Sequence, residues 1–113
     1  MHEMSIVQSI IDVVENEANK SGARSVTEVE LEIGRLSGIE YSSLEFALKV
    51  LAPSSILEGA KIVLSKPPGI AVCNDCSKEF ETNSPINECP VCSSYACSIV
   101  RGKELRVSSI VID

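Results

Sequence analysis

Ala60-Lys61-Ile62-Val63-Leu64-Ser65-Lys66-Pro67-Pro68-Gly69 is the stretch that sets the architecture. Residues 60–66 alternate, with Ile62 and Leu64 on one side and Lys61 and Ser65 on the other, which is the period of a half-buried strand. Two prolines and a glycine cannot continue that strand, so a hinge or boundary is expected at 67–69. Past it the composition changes, and all five cysteines fall between residues 73 and 97. At Arg101-Gly102 it changes back. Residues 103–112 then have the pattern of a last strand, with Leu105, Val107 and Val111 on one buried face. Such a strand needs a sheet to join, and the nearest one lies before the hinge. A cysteine-rich lobe inserted ahead of the final strand of an α/β domain satisfies both halves of the pattern. An insertion of ~30 residues is thermodynamically mild, because closure entropy grows only with the logarithm of loop length.

Working outward, residues 3–21 form an amphipathic helix pattern. Met4, Ile6, Val7, Ile10, Ile11, Val13, Val14 and Ala18 fill one half of the wheel, and Gly22 stands where a left-handed cap ends it. Val26 to Ile33 alternates as a strand, with Val29, Leu31 and Ile33 inward and Glu28, Glu30 and Glu32 outward on a wet face. A capping box from Ser42 to Glu45 opens a second helix that carries Leu44, Ala47, Leu48 and Leu51 on one face, and Pro53 closes it. The expected fold is α+β: a small mixed sheet of about three strands packed with two helices, with an inserted zinc-ribbon lobe before the last strand. The expected division is residues 1–68 plus 103–113 for the α/β domain and 69–102 for the lobe.

Cys73-Asn74-Asp75-Cys76 and Cys89-Pro90-Val91-Cys92 are two CxxC knuckles with twelve residues between them. Each knuckle holds two thiolates on one side of a tight turn. Brought together they make a tetrahedral four-sulfur site, which Zn²⁺ accepts without electronic preference. Four protein ligands leave no open position, so the zinc is structural and not catalytic. The segment is too short and too poor in aromatics to fold on apolar burial alone, so metal ligation supplies most of its stability. A redox dithiol of the thioredoxin kind would place one CxxC at the start of a helix, and Pro90 between paired knuckles does not suggest that. Cys97 is the odd cysteine and is read as a small, half-buried thiol in a strand.

Composition narrows the function. The chain has 113 residues, 44% hydrophobic and 23% charged, an ordinary globular balance that excludes disorder. Sixteen acidic residues against ten Lys and Arg leave a net charge of −6. Asp75, Glu79, Glu81 and Glu88 outnumber Lys78 and Arg101 in the lobe, the reverse of what a phosphate-gripping ribbon needs. The alternative of a zinc-ribbon regulatory or nucleic-acid-binding module is therefore disfavoured. With no membrane-length apolar run and no signal-peptide pattern, the protein is expected to be cytoplasmic, with neither membrane nor nucleic acid as partner. The single histidine, His2, leaves no catalytic His constellation, which points to a carrier and not an enzyme.

That histidine sits in Met1-His2-Glu3, next to the free amino group. The amine, the His2 amide nitrogen and the His2 imidazole can chelate one metal through fused rings, and the Glu3 amide can complete a square of nitrogens. Such a plane suits Ni(II) or Cu(II). Glu40, in the loop after the first strand, is a candidate for an extra ligand.

The opening Met1-His2-Glu3-Met4-Ser5-Ile6 with Ile10-Ile11 resembles the HypA/HybF family of nickel-insertion accessory proteins. So do Ile33-Gly34-Arg35-Leu36-Ser37-Gly38-Ile39 with Ser43-Leu44-Glu45-Phe46, Glu58-Gly59-Ala60, the paired knuckles, and Gly102-Lys103-Glu104-Leu105. The resemblance covers essentially the whole chain. It implies a two-lobed nickel metallochaperone that binds Ni(II) through Met1, His2 and Glu3. It also implies structural Zn(II) on Cys73, Cys76, Cys89 and Cys92. The implied partners are the GTPase HypB and the large-subunit precursor of a [NiFe] hydrogenase, and for some relatives the urease maturation proteins. In two places the chain departs from the family: Ser77 and Ser93 follow the knuckles, where the family often has glycine.

Overall fold

The computed structural model describes residues 3–113. The chain forms two compact units. One comprises the residues up to Leu31, Ile39–Leu64 and Arg106–Asp113, and the other comprises Glu32–Gly38 and Ser65–Leu105.

The first unit begins with α1 (Glu3–Lys20), which buries Ile6, Val7, Ile10, Ile11, Val14 and Ala18. The buried stripe is narrower than the apolar half of the wheel, because Met4 and Val13 are 40% and 49% exposed. Gly22 at φ 66 ends the helix. The Ala23 N–H reaches back to the Ala18 carbonyl and the Gly22 N–H to that of Asn19, a Schellman closure that satisfies the last carbonyls. Next comes β1 (Val26–Ile33), followed by α2 (Tyr41–Leu51), a 3₁₀ turn at Ala52–Ser54, and β2 (Lys61–Ser65). Helix α2 buries Leu44, Ala47 and Leu48.

The start of α2 differs from the expected capping box. Glu40 is the N-cap, and its carboxylate accepts the Ser42 N–H at 2.9 Å and the Ser42 hydroxyl at 2.8 Å. Ser42 is thus a donor inside the first turn, because the longer glutamate side chain reaches the free N–H first.

The sheet order is β2-β1-β6, with β6 spanning Leu105–Ile112. Along β1 and its continuation, Arg24 N–H donates to the Asp113 carbonyl, Thr27 Oγ1 to that of Val111, and Ser108 Oγ to that of Glu30, so β1 and β6 run antiparallel. Val26, Val29 and Leu31 of β1 are buried. Two of its outward glutamates have polar partners: Glu28 pairs with Lys61 at 3.8 Å and Glu30 accepts from Ser108. The wet-face reading of that row holds. The expected buried face of β6 does not, since Leu105 and Val111 are 41% and 47% exposed. An edge strand is covered on only one flank, so an alternating pattern there earns less burial than it would at the centre.

The second unit is a three-stranded sheet of order β4-β3-β5: β3 (Gly69–Cys73), β4 (Glu79–Thr82) and β5 (Cys97–Arg101). Strand β3 pairs antiparallel with both neighbours. The break from β2 is only Lys66–Pro68, because Gly69 already opens the next strand. Within residues 69–102 the buried apolar residues are Ala71, Cys73 and Cys89. Two of these three are cysteines of the knuckles, so this unit has almost no aliphatic core of its own beyond Ile33 at the end of β1.

The Glu32–Gly38 segment clasps the two ends of the insertion. Arg35 N–H donates to the Pro67 carbonyl at 3.0 Å and Arg35 Nε to that of Lys66 at 3.1 Å. On the returning side, Leu36 N–H donates to the Gly102 carbonyl at 2.7 Å and Gly34 N–H to that of Glu104 at 2.8 Å. Gly34 is required by the close approach, because a Cβ there would overlap the Gly102 carbonyl.

Candidate metal centre

The two knuckles are built alike. In the first, Cys73 N–H donates to the Lys78 carbonyl and Ser77 N–H to that of Cys73; in the second, Cys89 N–H donates to Ser94 and Ser93 N–H to Cys89. Each turn closes through a residue with positive φ, Ser77 at 66° and Ser93 at 62°. The hydroxyl of Ser94 donates to the Asp75 carboxylate and accepts the Ala96 N–H, tying one knuckle to the other.

These turns bring together the four sulfurs of Cys73, Cys76, Cys89 and Cys92, all within 4.8 Å of one another. Cys73 Sγ lies 3.6 Å from Cys92 Sγ, and Cys76 Sγ lies 3.5 Å from Cys89 Sγ. A disulfide would need ~2.05 Å, so none is formed. Four sulfurs bound tetrahedrally at ~2.3 Å would lie about 3.8 Å apart, close to what is seen. The donor set fits a structural metal such as zinc, and the cysteine cluster is the one metal-holding group of its kind among the described residues.

The turns also prepare the thiolates. The Cys76 N–H holds the Cys73 thiol down at about 6, against its burial. The Cys92 N–H lowers Cys89 in the same way. Cys92 receives the Ser94 N–H, which favours its thiolate, yet its contact with Cys73 and its burial push it up to about 12. In each cross-knuckle pair the first cysteine of a knuckle is shifted toward the thiolate and its partner is shifted away from it. A divalent cation held by the four sulfurs would favour the thiolate form of all of them.

Of the expected nickel ligands, Met1 and His2 lie outside the described residues. Glu3 is the first residue of α1. With Met4 it lines a shallow concavity shared with Ser42, Ser43, Phe46 and Ala47 from the start of α2. Glu40 is engaged with Ser42, and that hydrogen bonding lowers its pKa from the ordinary 4.5. Its capping role was hidden in the sequence by the stronger Ser-x-x-Glu signal two residues on.

Residues 1–112 match the family model described as hydrogenase/urease nickel incorporation, metallochaperone, hypA. The chain belongs to the HypA family. It is 49% identical over 112 residues to the hydrogenase maturation factor HypA of Parabacteroides distasonis, covering 99% of this chain and 97% of that one. It is 40% identical over 113 residues to the namesake from Geobacter metallireducens, covering all of both chains. The solution structure of the Ni metallochaperone HypA from Helicobacter pylori superposes with a TM-score of 0.70 at 28% identity, over 99% of this chain and 97% of that one. HypA is a nickel metallochaperone of hydrogenase maturation, so the chemistry here is metal carriage. No helix among the described residues is long and apolar enough to cross a membrane.

Proposed function

We propose that this HypA chain binds Ni(II) at Met1-His2-Glu3 and delivers it in the cytoplasm to the large-subunit precursor of a [NiFe] hydrogenase, working with the GTPase HypB. Zn(II) on Cys73, Cys76, Cys89 and Cys92 holds the inserted lobe, residues 69–102, while residues 1–68 and 103–113 carry the nickel site. The amine, the amides of His2 and Glu3, and the imidazole are the nickel donors. The observation that carries this reading is that α1 begins at Glu3. The first N–H groups of a helix have no intrahelical partner, so the Glu3 amide can be deprotonated and metallated without breaking α1. Two amidate nitrogens also neutralise the two charges of Ni(II), so the complex adds no net charge at the positive end of the helix.

A calorimetric Ni(II) titration of untagged, N-terminally extended and His2→Ala proteins tests the site. Extension turns the amine into an amide, so both altered proteins should lose specific nickel binding while keeping zinc and fold. Acid should release nickel below the unperturbed range of ~6.5 for the imidazole and ~7.7–8.0 for the amine, because metal binding lowers both. Nickel binding by the extended protein as tight as that of the untagged one would overturn the terminal chelate.

A further inference from the structure

Cys97 lies beside the metal centre. Strand register places Cys97 directly opposite Cys73 across β5 and β3. Residues opposed in an antiparallel pair project from the same face, with Cβ atoms ~4.5–5.5 Å apart. The Cys97 side chain therefore emerges on the face from which Cys73 enters the four-sulfur cluster. Cys97 is half-buried, and its thiol makes a weak contact, 3.6 Å, with the carbonyl of Ser94, just past the second knuckle. A thiol is a poor donor, so that contact holds it lightly. No other corner of the cluster has a spare sulfur, since the chain contains five cysteines and four form the cluster.

We propose that Cys97 is a substitute ligand for the Cys73 corner of the zinc site. When the Cys73 sulfur is lost, Cys97 gives up its proton to solvent and its sulfur takes the vacated bond to the metal. The donor set then remains four thiolates, with Cys97, Cys76, Cys89 and Cys92 as ligands. The exchange is specific to Cys73 because only that ligand has a cross-strand cysteine. This inference rests on the zinc reading of the cluster, and the full-length wild-type protein tests that reading separately.

The experiment compares wild type, Cys73→Ser, Cys76→Ser, Cys97→Ser and the double variant Cys73→Ser/Cys97→Ser, each loaded with zinc and, in parallel, with Co(II). Metal content, the thiolate-to-cobalt charge-transfer band and the pattern of alkylation by iodoacetamide are read. Wild type should hold one zinc and alkylate at Cys97 alone, and a wild type without stoichiometric zinc would sink the underlying zinc reading. Cys97→Ser should keep the metal. Cys73→Ser should also keep one metal with the full four-thiolate band, and its Cys97 should become protected from alkylation. Cys76→Ser and the double variant should show a weakened band or lose the metal. A Cys73→Ser protein that loses metal as fully as Cys76→Ser, or that binds it with Cys97 still alkylated, would overturn the proposal.

Discussion

Ser77 and Ser93 share one backbone conformation, left-handed at φ 66° and 62°, each one residue past the second cysteine of its knuckle. They are the only non-glycine residues with positive φ among the described residues. A side chain there crowds the backbone at roughly 1–2 kcal/mol, a strain that glycine avoids. Glycine loses more freedom on folding, which offsets part of the gain. Ser77→Gly and Ser93→Gly should therefore each stabilise the metal-loaded lobe by about 0.5–1 kcal/mol, and the pair nearly additively. Denaturant unfolding followed by zinc release measures this. Destabilisation by either change would show that the serine side chain supports its turn.

Loss of the metal should melt one unit and spare the other. The lobe buries little besides Ala71 and two cluster cysteines, while the first unit has its own Ile, Val and Leu core. Cys89→Ser should abolish stoichiometric zinc and the amide protection of β3, β4 and β5, with α1 and α2 still protected. Hydrogen exchange resolves the two, and simultaneous loss of protection in α1 would contradict the separation.

Glu40→Ala should fray the first turn of α2 and lower the melting temperature, because it frees the Ser42 N–H. The pH dependence has a definite sign. The pKa of folded Glu40 is depressed by the Ser42 hydrogen bonds, so its contribution is complete above the ordinary 4.5 and is lost as pH falls through the lowered value. Wild type should lose this increment of stability in acid, and Glu40→Ala should not. Identical acid profiles for the two would remove Glu40 as the cap.

Gly34→Ala should be among the most damaging single changes outside the cluster. The added methyl meets the Gly102 carbonyl, and backbone cannot swing aside as a side chain can. A loss of about 3 kcal/mol or more is expected. Gly38→Ala is the control, because its Cβ meets nothing within 4 Å. It carries only the strain of φ 82°, so its loss should be smaller. Equal losses for the two would show that the clash is relieved.

Periodicity made α1, β1 and α2 legible, because long segments with one buried stripe leave a strong pattern. The four thiolates were legible for a different reason: cysteine spacing encodes a turn that can bind metal. The Glu40 cap was not, since a carboxylate acting on Ser42 competes in the sequence with a better-known signal. Burial on β6 was overestimated because alternation reports a face but not whether the strand lies at an edge. The clasp left little trace because three of its four bonds are donated by backbone N–H groups of Gly34, Arg35 and Leu36, which carry no side-chain pattern, and the fourth comes from a single arginine side chain. Gly34 was its one visible trace, a glycine where a strand ends.

The clasp changes what the metal has to accomplish. The insertion leaves at Lys66 and Pro67 and returns at Gly102 and Glu104, and all four carbonyls are held by two adjoining residues and their neighbour, Gly34 to Leu36. In polymer terms the lobe is a ring whose ends are already joined. Joining the ends of a free segment of about 35 residues would cost about 3 kcal/mol beyond a constant. That entropy is met by hydrogen bonds donated from Gly34, Arg35 and Leu36, far along the chain from the cysteines, so a metal would have only to fold a short hairpin within a closed circuit. Whatever affinity the knuckles have for a metal would be set in part by a loop that contains no ligand.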